Sequence, residues 1–195
     1  MSSFSTAPPA TKSRWLIIAM TVLVIGSVAV PANAQQQRNA EQQRVDTTWL
    51  SFDKAAKTVR FQLIAGLTGL NGALNFNGFR DGELTLVVPL GWETKIEFRN
   101  HDGMLPHSAE VIAPQTPLPA QPVGPAIPRA FTLQLATGLP PEGTDVMRFA
   151  AQPAGEYLIF CGVPGHGASG MWIRLRISAT AQTPAMLLTP AAESR

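Results

Sequence analysis

The chain has 195 residues, of which 45% are hydrophobic and 14% charged, with 17 prolines and 16 glycines. That length suits one globular domain with extensions, and so many turn formers favour short strands over long helices, so the composition points to an all-β fold. The formal charge of +2 includes Lys12 and Arg14 near the N-terminus; the remainder carries thirteen basic and thirteen acidic side chains with no basic cluster, which argues against nucleic acid as a partner.

Lys12 and Arg14, an apolar run from Trp15 to Val30 and the small-x-small pattern Ala32-Asn33-Ala34 read as an export signal over residues 1–34. The competing reading is an uncleaved membrane anchor, but sixteen residues fall short of the ~20 that span a bilayer comfortably. Either reading places the rest of the chain in the periplasm or elsewhere outside the cytoplasm. Residues 35–48 are polar and Gln-rich, too poor in apolar surface to order themselves, and are expected to form a linker. The folded domain is expected over residues 49–178, followed by a flexible tail over 179–195.

Within the domain, Trp49 to Phe52 and Thr58 to Ile64 are predicted strands, although Lys54-Ala55-Ala56-Lys57 could begin a helical turn. Further strands are expected over Ala73 to Phe79, at Leu84, Leu86 and Val88, at Ile96 and Phe98, from His107 to Val111, from Val146 to Ala151, from Glu156 to Phe160 and from Met171 to Ser178. Asn77-Gly78, Asp81-Gly82 and Pro89-Leu90-Gly91 supply turns. Six prolines between Pro114 and Pro128 remove backbone donors, so this stretch is read as a surface insertion. Short strands at this spacing suggest a Greek-key β-sandwich of about seven to eight strands.

The chemistry concentrates in Cys161-Gly-Val-Pro-Gly-His166-Gly-Ala-Ser-Gly-Met171. A thiolate, an imidazole and a thioether at this spacing suit copper cycling between two oxidation states, because the sulfurs favour the reduced ion and a His₂Cys plane with a weak Met is an electron-transfer arrangement. Strand parity turns Tyr157, Ile159 and Cys161 one way and gives Met171 the same face as Ile173, Leu175 and Ile177, so both sulfurs are expected in the core. The second imidazole must come from elsewhere. Pro106-His107-Ser108 is the better candidate, since His107, Ala109 and Val111 share an inward parity, whereas His101 lies among Asn100, Asp102 and Gly103 in an expected exposed turn.

The loop resembles that of the cupredoxins, and Cys-Gly-Val-Pro-Gly-His with Gly-Met-Trp resembles the sulfocyanin branch, with a rusticyanin-like spacing. The likeness runs through Asn75-Phe76-Asn77-Gly78, Val88-Pro89, Phe98-Arg99-Asn100 and Pro106-His107-Ser108, covering roughly residues 72 to 178. It implies a single type 1 copper held by His107, Cys161, His166 and Met171, and a buried role for Tyr157 ahead of the cysteine. Ser108 is a candidate for tuning the sulfur by hydrogen bonding; parity sends its side chain away from His107, so its backbone N–H and its hydroxyl remain alternatives.

The expected function is single-electron carriage between redox proteins such as a cytochrome or an oxidase, by a monomer that is not an enzyme. The rival is a copper carrier or chaperone that delivers its ion. Pro164, Gly165 and Ala168 beside His166, with Met104, Leu105 and Pro106 ahead of His107, are apolar or lack side chains and could together form an uncharged docking patch. The plainer reading is that these loop residues pack against one another.

Overall fold

The computed structural model describes residues 45–189. Nine strands occur among them: β1 (Leu50–Asp53), β2 (Thr58–Ala65), β3 (Leu84–Pro89), β4 (Glu93–Asn100), β5 (Glu110–Ile112), β6 (Thr144–Ala150), β7 (Gly155–Phe160), β8 (Trp172–Ser178) and β9 (Ala185–Leu188). They form two mixed sheets, ordered β1-β2-β4-β6 and β5-β7-β8-β3-β9, with β2–β4 and β3–β8 parallel. The chain crosses between sheets after β2, β3, β4, β5 and β6.

Alternation explains the sandwich. Val59, Phe61 and Leu63 of β2, Ile96 and Phe98 of β4, Leu84, Leu86 and Val88 of β3, and Ile173, Leu175 and Ile177 of β8 turn inward and share one core. Tyr157, Ile159, Cys161 and Met171 belong to it, as their parity predicts. Tyr157 also donates from its hydroxyl to the Pro153 carbonyl at 3.0 Å, which fixes the start of β7. On the outer face of the second sheet, Ile112, Leu158 and Phe160 form a smaller cluster against Leu118 and Trp172.

Several expectations change. Ala73 to Phe79 is not a strand, because Ala73, Asn77 and Gly78 have φ of 67°, 54° and 80°, outside the extended region. Asn77 and Gly78 instead close a two-residue turn in which Phe76 and Phe79 exchange backbone hydrogen bonds of 2.9 and 2.8 Å. The buried Asn77 side chain then does what a paired strand would do, accepting from Ile64 N–H at 3.0 Å and donating to Gln62 C=O at 2.9 Å.

The tail is not wholly loose either: β9 pairs antiparallel with β3 from Leu84↔Leu188 to Val87↔Ala185. At the other end order begins before residue 49, since Asp46 caps a short 3₁₀ turn over Thr47–Trp49 and Val45 packs against the core. The export segment and most of the linker lie outside the described residues. The stretch Lys54 to Lys57 is a turn, begun by the Asp53 carboxylate accepting from Ala55 and Ala56 N–H.

His107 to Val111 is only partly a strand. Regular pairing starts at Glu110, while His107 makes an isolated bridge to Leu139. Inward parity also fails to separate the two faces here, because Ser108 and Glu110 are as fully buried as His107, Ala109 and Val111. Residues 130–139 pair along the edge of this segment, with Thr132 N–H on Ala109 C=O and Val111 N–H on Ala130 C=O, while on the second face Ser108 meets Leu135 C=O and Glu110 meets Val123 and Gly124 N–H.

The proline-rich insertion 114–128 has no helix or strand and is largely exposed, yet it is pinned. The buried Glu110 carboxylate accepts from Val123 and Gly124 N–H, Ala126 N–H donates to Val111 C=O, and Ile127 enters the main core.

Candidate metal centre

β7 and β8 form an antiparallel pair, and their connection carries three of the expected ligands. Cys161 follows the last residue of β7, and its N–H donates to Met171 C=O at 3.1 Å, so the two sulfur-bearing residues face each other across the closing rung. Between them the chain coils back on itself: His166 N–H reaches Val163 C=O at 3.0 Å and Met171 N–H reaches His166 C=O at 3.1 Å. Gly167 makes this possible, because a Cβ there would lie 2.0 Å from Phe160 Cζ, inside the ring on which the loop rests. From outside, Gly165 N–H donates to Ala120 C=O of the insertion at 2.9 Å.

His107 approaches from the other side of the same end. Its backbone exchanges two hydrogen bonds with Leu139, at 3.1 and 2.8 Å, and its ring is fully buried. The ring centroid lies 5.2 Å from that of His166. Cys161 Sγ is 3.8 Å from His166 Nδ1, and one donor atom from each of His107, Cys161 and His166 lies within 4.8 Å of the others. An ion bonded to nitrogen and sulfur at about 2.0–2.3 Å separates its donors by roughly 3.5–4 Å, so this cluster has the dimensions for one ion.

Three observations test whether the pocket suits a metal. His107 Nδ1 is buried with no hydrogen-bond partner, an omission that costs about 1–3 kcal/mol unless something electrophilic takes the lone pair. Burial pushes the Cys161 thiol up to about 11, partly offset by the backbone N–H groups of Ser108 and Val163, so the thiolate forms readily only beside a cation. Burial also lowers both imidazoles, with Asp102 opposing the effect, so the rings stay neutral and free to bind. A soft thiolate with two neutral imidazoles suits copper.

Of the two Ser108 groups left open by the sequence, the hydroxyl has its proton engaged away from the sulfur. It donates to Leu135 C=O at 2.8 Å and accepts from Gly162 N–H at 3.1 Å, bridging the two chain segments. Met171 is fully buried in the same core as Cys161. His101 stays apart, exposed, with Nδ1 3.9 Å from Glu142 Oε1.

Among the residues expected to form a patch, Met104 is 85% exposed, Leu105, Pro164 and Ala168 are exposed, and Pro106 and Gly165 are half-buried. The two loops meet at Gly138, where a Cβ would lie 2.9 Å from Pro106 Cβ and 2.8 Å from Val163 Cγ2.

Two buried carboxylates escaped the sequence reading. Asp102 Oδ2 lies 2.9 Å from His107 Nε2, and Glu110 lies beneath Gly162, whose Cβ would be 3.4 Å from Glu110 Oε1. Asp102 sits in a turn whose composition reads as solvent-exposed, and Glu110 stands at an outward parity position. Neither carries a local signal.

The Sulfocyanin (SoxE) domain matches residues 46–188. The sulfocyanin of Sulfolobus acidocaldarius is 28% identical over 144 residues, covering 68% of this chain and 70% of that one. Among solved structures, one of rusticyanin variants is 24% identical with a TM-score of 0.51, covering 74% of this chain and 94% of the other. Another rusticyanin variant is 22% identical with a TM-score of 0.51, covering 77% and 95%. Cupredoxin homologues bind one type 1 copper, and His107, Cys161 and His166 stand close together here as a group that could hold a metal ion. The family match spans nearly all the described residues, and the chain belongs to the sulfocyanin family of cupredoxins.

Proposed function

We propose that His107, Cys161 and His166 bind copper in a trigonal set with Met171 as the weak fourth donor, and that the protein carries single electrons between redox partners. The observation that carries this reading is the buried, unpartnered Nδ1 of His107, on a ring that places a nitrogen within 4.8 Å of the Cys161 and His166 donors. When bound, the metal supplies one-electron exchange between Cu(II) and Cu(I). The chain supplies everything else. Cys161, His107 and Met171 exclude water by complete burial, Ser108 and Val163 N–H groups hold the sulfur, and half-buried His166 connects the site to solvent.

Ligands drawn from two separated segments, each fixed by backbone hydrogen bonds, hold one geometry for both oxidation states, which suits a carrier of electrons better than a carrier of copper. The same reading makes the protein non-enzymatic, monomeric and exported through residues 1–34, with Met104, Leu105, Pro106, Pro164, Gly165 and Ala168 facing a redox protein. A small uncharged contact of this kind suits transient docking.

Titration of metal-free protein with Cu(II) tests the proposal. One equivalent should saturate an intense visible band that a one-electron reductant bleaches and reoxidation restores. Loss of the ion on reduction, or its rapid transfer to a competing chelator, would favour copper delivery instead.

A further inference from the structure

Asp102 lies five residues before His107, in a turn between β4 and the first imidazole, and its side chain is almost fully buried. Both of its oxygens are used. Oδ2 is 2.9 Å from His107 Nε2, and Oδ1 accepts from Met104 N–H at 2.9 Å and Leu105 N–H at 3.2 Å. The residue is held from behind as well: its own N–H donates to Asn100 Oδ1 at 3.0 Å, and Asn100 Nδ2 donates to the Leu105 and Leu139 carbonyls, each at 2.9 Å. Gly66 at the end of β2 packs so closely that a Cβ there would lie 2.7 Å from Asp102 Cβ.

We propose that Asp102 is a positioning residue for the copper centre: one oxygen selects which nitrogen of His107 is free to bind the ion, and the other ties that ligand to the exposed Met104–Leu105 tip. The proposal rests on the copper reading above.

The chemistry follows from what an ionised carboxylate can do. It only accepts hydrogen bonds, and a neutral imidazole carries one N–H, so the proton belongs on Nε2 and the lone pair on Nδ1. That is the nitrogen left buried without a partner, on a ring grouped with the Cys161 and His166 donors. Leu139 fixes the backbone of His107 and Asp102 fixes the far end of its ring, so the imidazole is held at both ends before any metal arrives. A negative charge one ring away from the ion also favours the more positive oxidation state, so Asp102 lowers the reduction potential. Because Met104 and Leu105 N–H share the same carboxylate, a partner pressing on that tip acts on the group that orients the ligand.

Three measurements test this. In the metal-free wild type, ¹⁵N resonances of His107 should show the proton on Nε2; a proton on Nδ1 overturns the proposal, whether or not any variant folds and whether or not copper binds. D102N keeps the shape and removes the charge, so the copper-thiolate band should persist while the potential rises, and a potential unchanged or lowered overturns it. D102A should show mixed tautomers and bind copper about 10- to 100-fold more weakly; unaltered affinity with a single Nε2–H tautomer counts against it. E142Q, which removes an exposed carboxylate paired with Arg99, is the control and should leave the potential where it was. Absence of any thiolate band in the wild type would overturn the copper reading rather than the tautomer assignment.

Discussion

His107 and His166 face the same sulfur from different surroundings. His107 is fully buried, its backbone locked to Leu139 and its far nitrogen on Asp102. His166 is half-buried on a glycine-rich loop that rests on Phe160 and is tied to the insertion through Gly165 and Ala120. One imidazole anchors the site to the sandwich, and the other brings it to the surface. The difference teaches that a site assembled from a fixed strand end and a tethered loop can be rigid at the metal and still open at one edge.

The hardest way to break this comparison is to delete each ring. His107→Gly and His166→Gly should both lose the copper-thiolate band, but dissolved imidazole should restore it only in His166→Gly, where the vacated place is open to solvent. Equal rescue of both variants, followed by visible spectroscopy, would show that the two sides do not differ in access. Met171→Gln is expected to do less. An amide oxygen favours Cu(I) less than a thioether, so the band should persist and the potential should fall on voltammetry; a rise would remove Met171 from the fourth position.

The candidate ligands could be picked out of the sequence because each of them carries a local signal. Cys161 and Met171 take their inward parity from strands β7 and β8, whose alternation is regular, and the loop between them has a family spacing. His107 was legible for a weaker reason. Its segment is buried on both faces, by the main core on one side and by Leu135 and the insertion on the other, so parity alone does not tell the ligand face from the face of Ser108 and Glu110. Asp102 was illegible because a turn of Asn, His, Asp and Gly has the composition of solvent, and only the tertiary fold brings its carboxylate to His107.

The fold shows the same division. β2, β4 and β8 could be read from period-two alternation, whereas Ala73 to Phe79 resembles a strand but bends through left-handed residues, with Asn77 supplying strand-like hydrogen bonds from its side chain. β9 carries no such alternation; it is ordered by the free edge of β3.

Glu110 sharpens the comparison at the loop side, since it holds the insertion that braces Gly165. Burial raises its carboxyl above the ordinary value near 4.5, partly offset by Val123 and Gly124 N–H. A raised folded value means that its contribution to stability is complete below about pH 4.5 and is lost as pH rises through the folded value. Denaturant unfolding of the metal-free protein should therefore show a stability decline over that window that is reduced in Glu110→Gln. Parallel pH profiles would contradict the burial account.

The smallest effect is expected at the surface. Ala168→Glu and Met104→Lys place charge beside the open edge without touching the ligands, so the copper spectrum should hold while electron self-exchange slows. Rates from resonance line-broadening would check this, and the wild-type rate should depend only weakly on salt, given thirteen basic and thirteen acidic side chains beyond the N-terminal segment. A steep salt dependence would move the contact to a charged face.

The central claim is that Cys161 and two imidazoles form one copper-thiolate centre, and the most direct measurement is the visible and paramagnetic-resonance spectrum of the Cu(II)-loaded protein beside that of Cys161→Ser. The wild type should show an intense thiolate-to-copper band and a resonance with narrow copper hyperfine splitting, both absent from Cys161→Ser. An unchanged band in Cys161→Ser, or a wild type that binds Cu(II) without that band, would contradict the account.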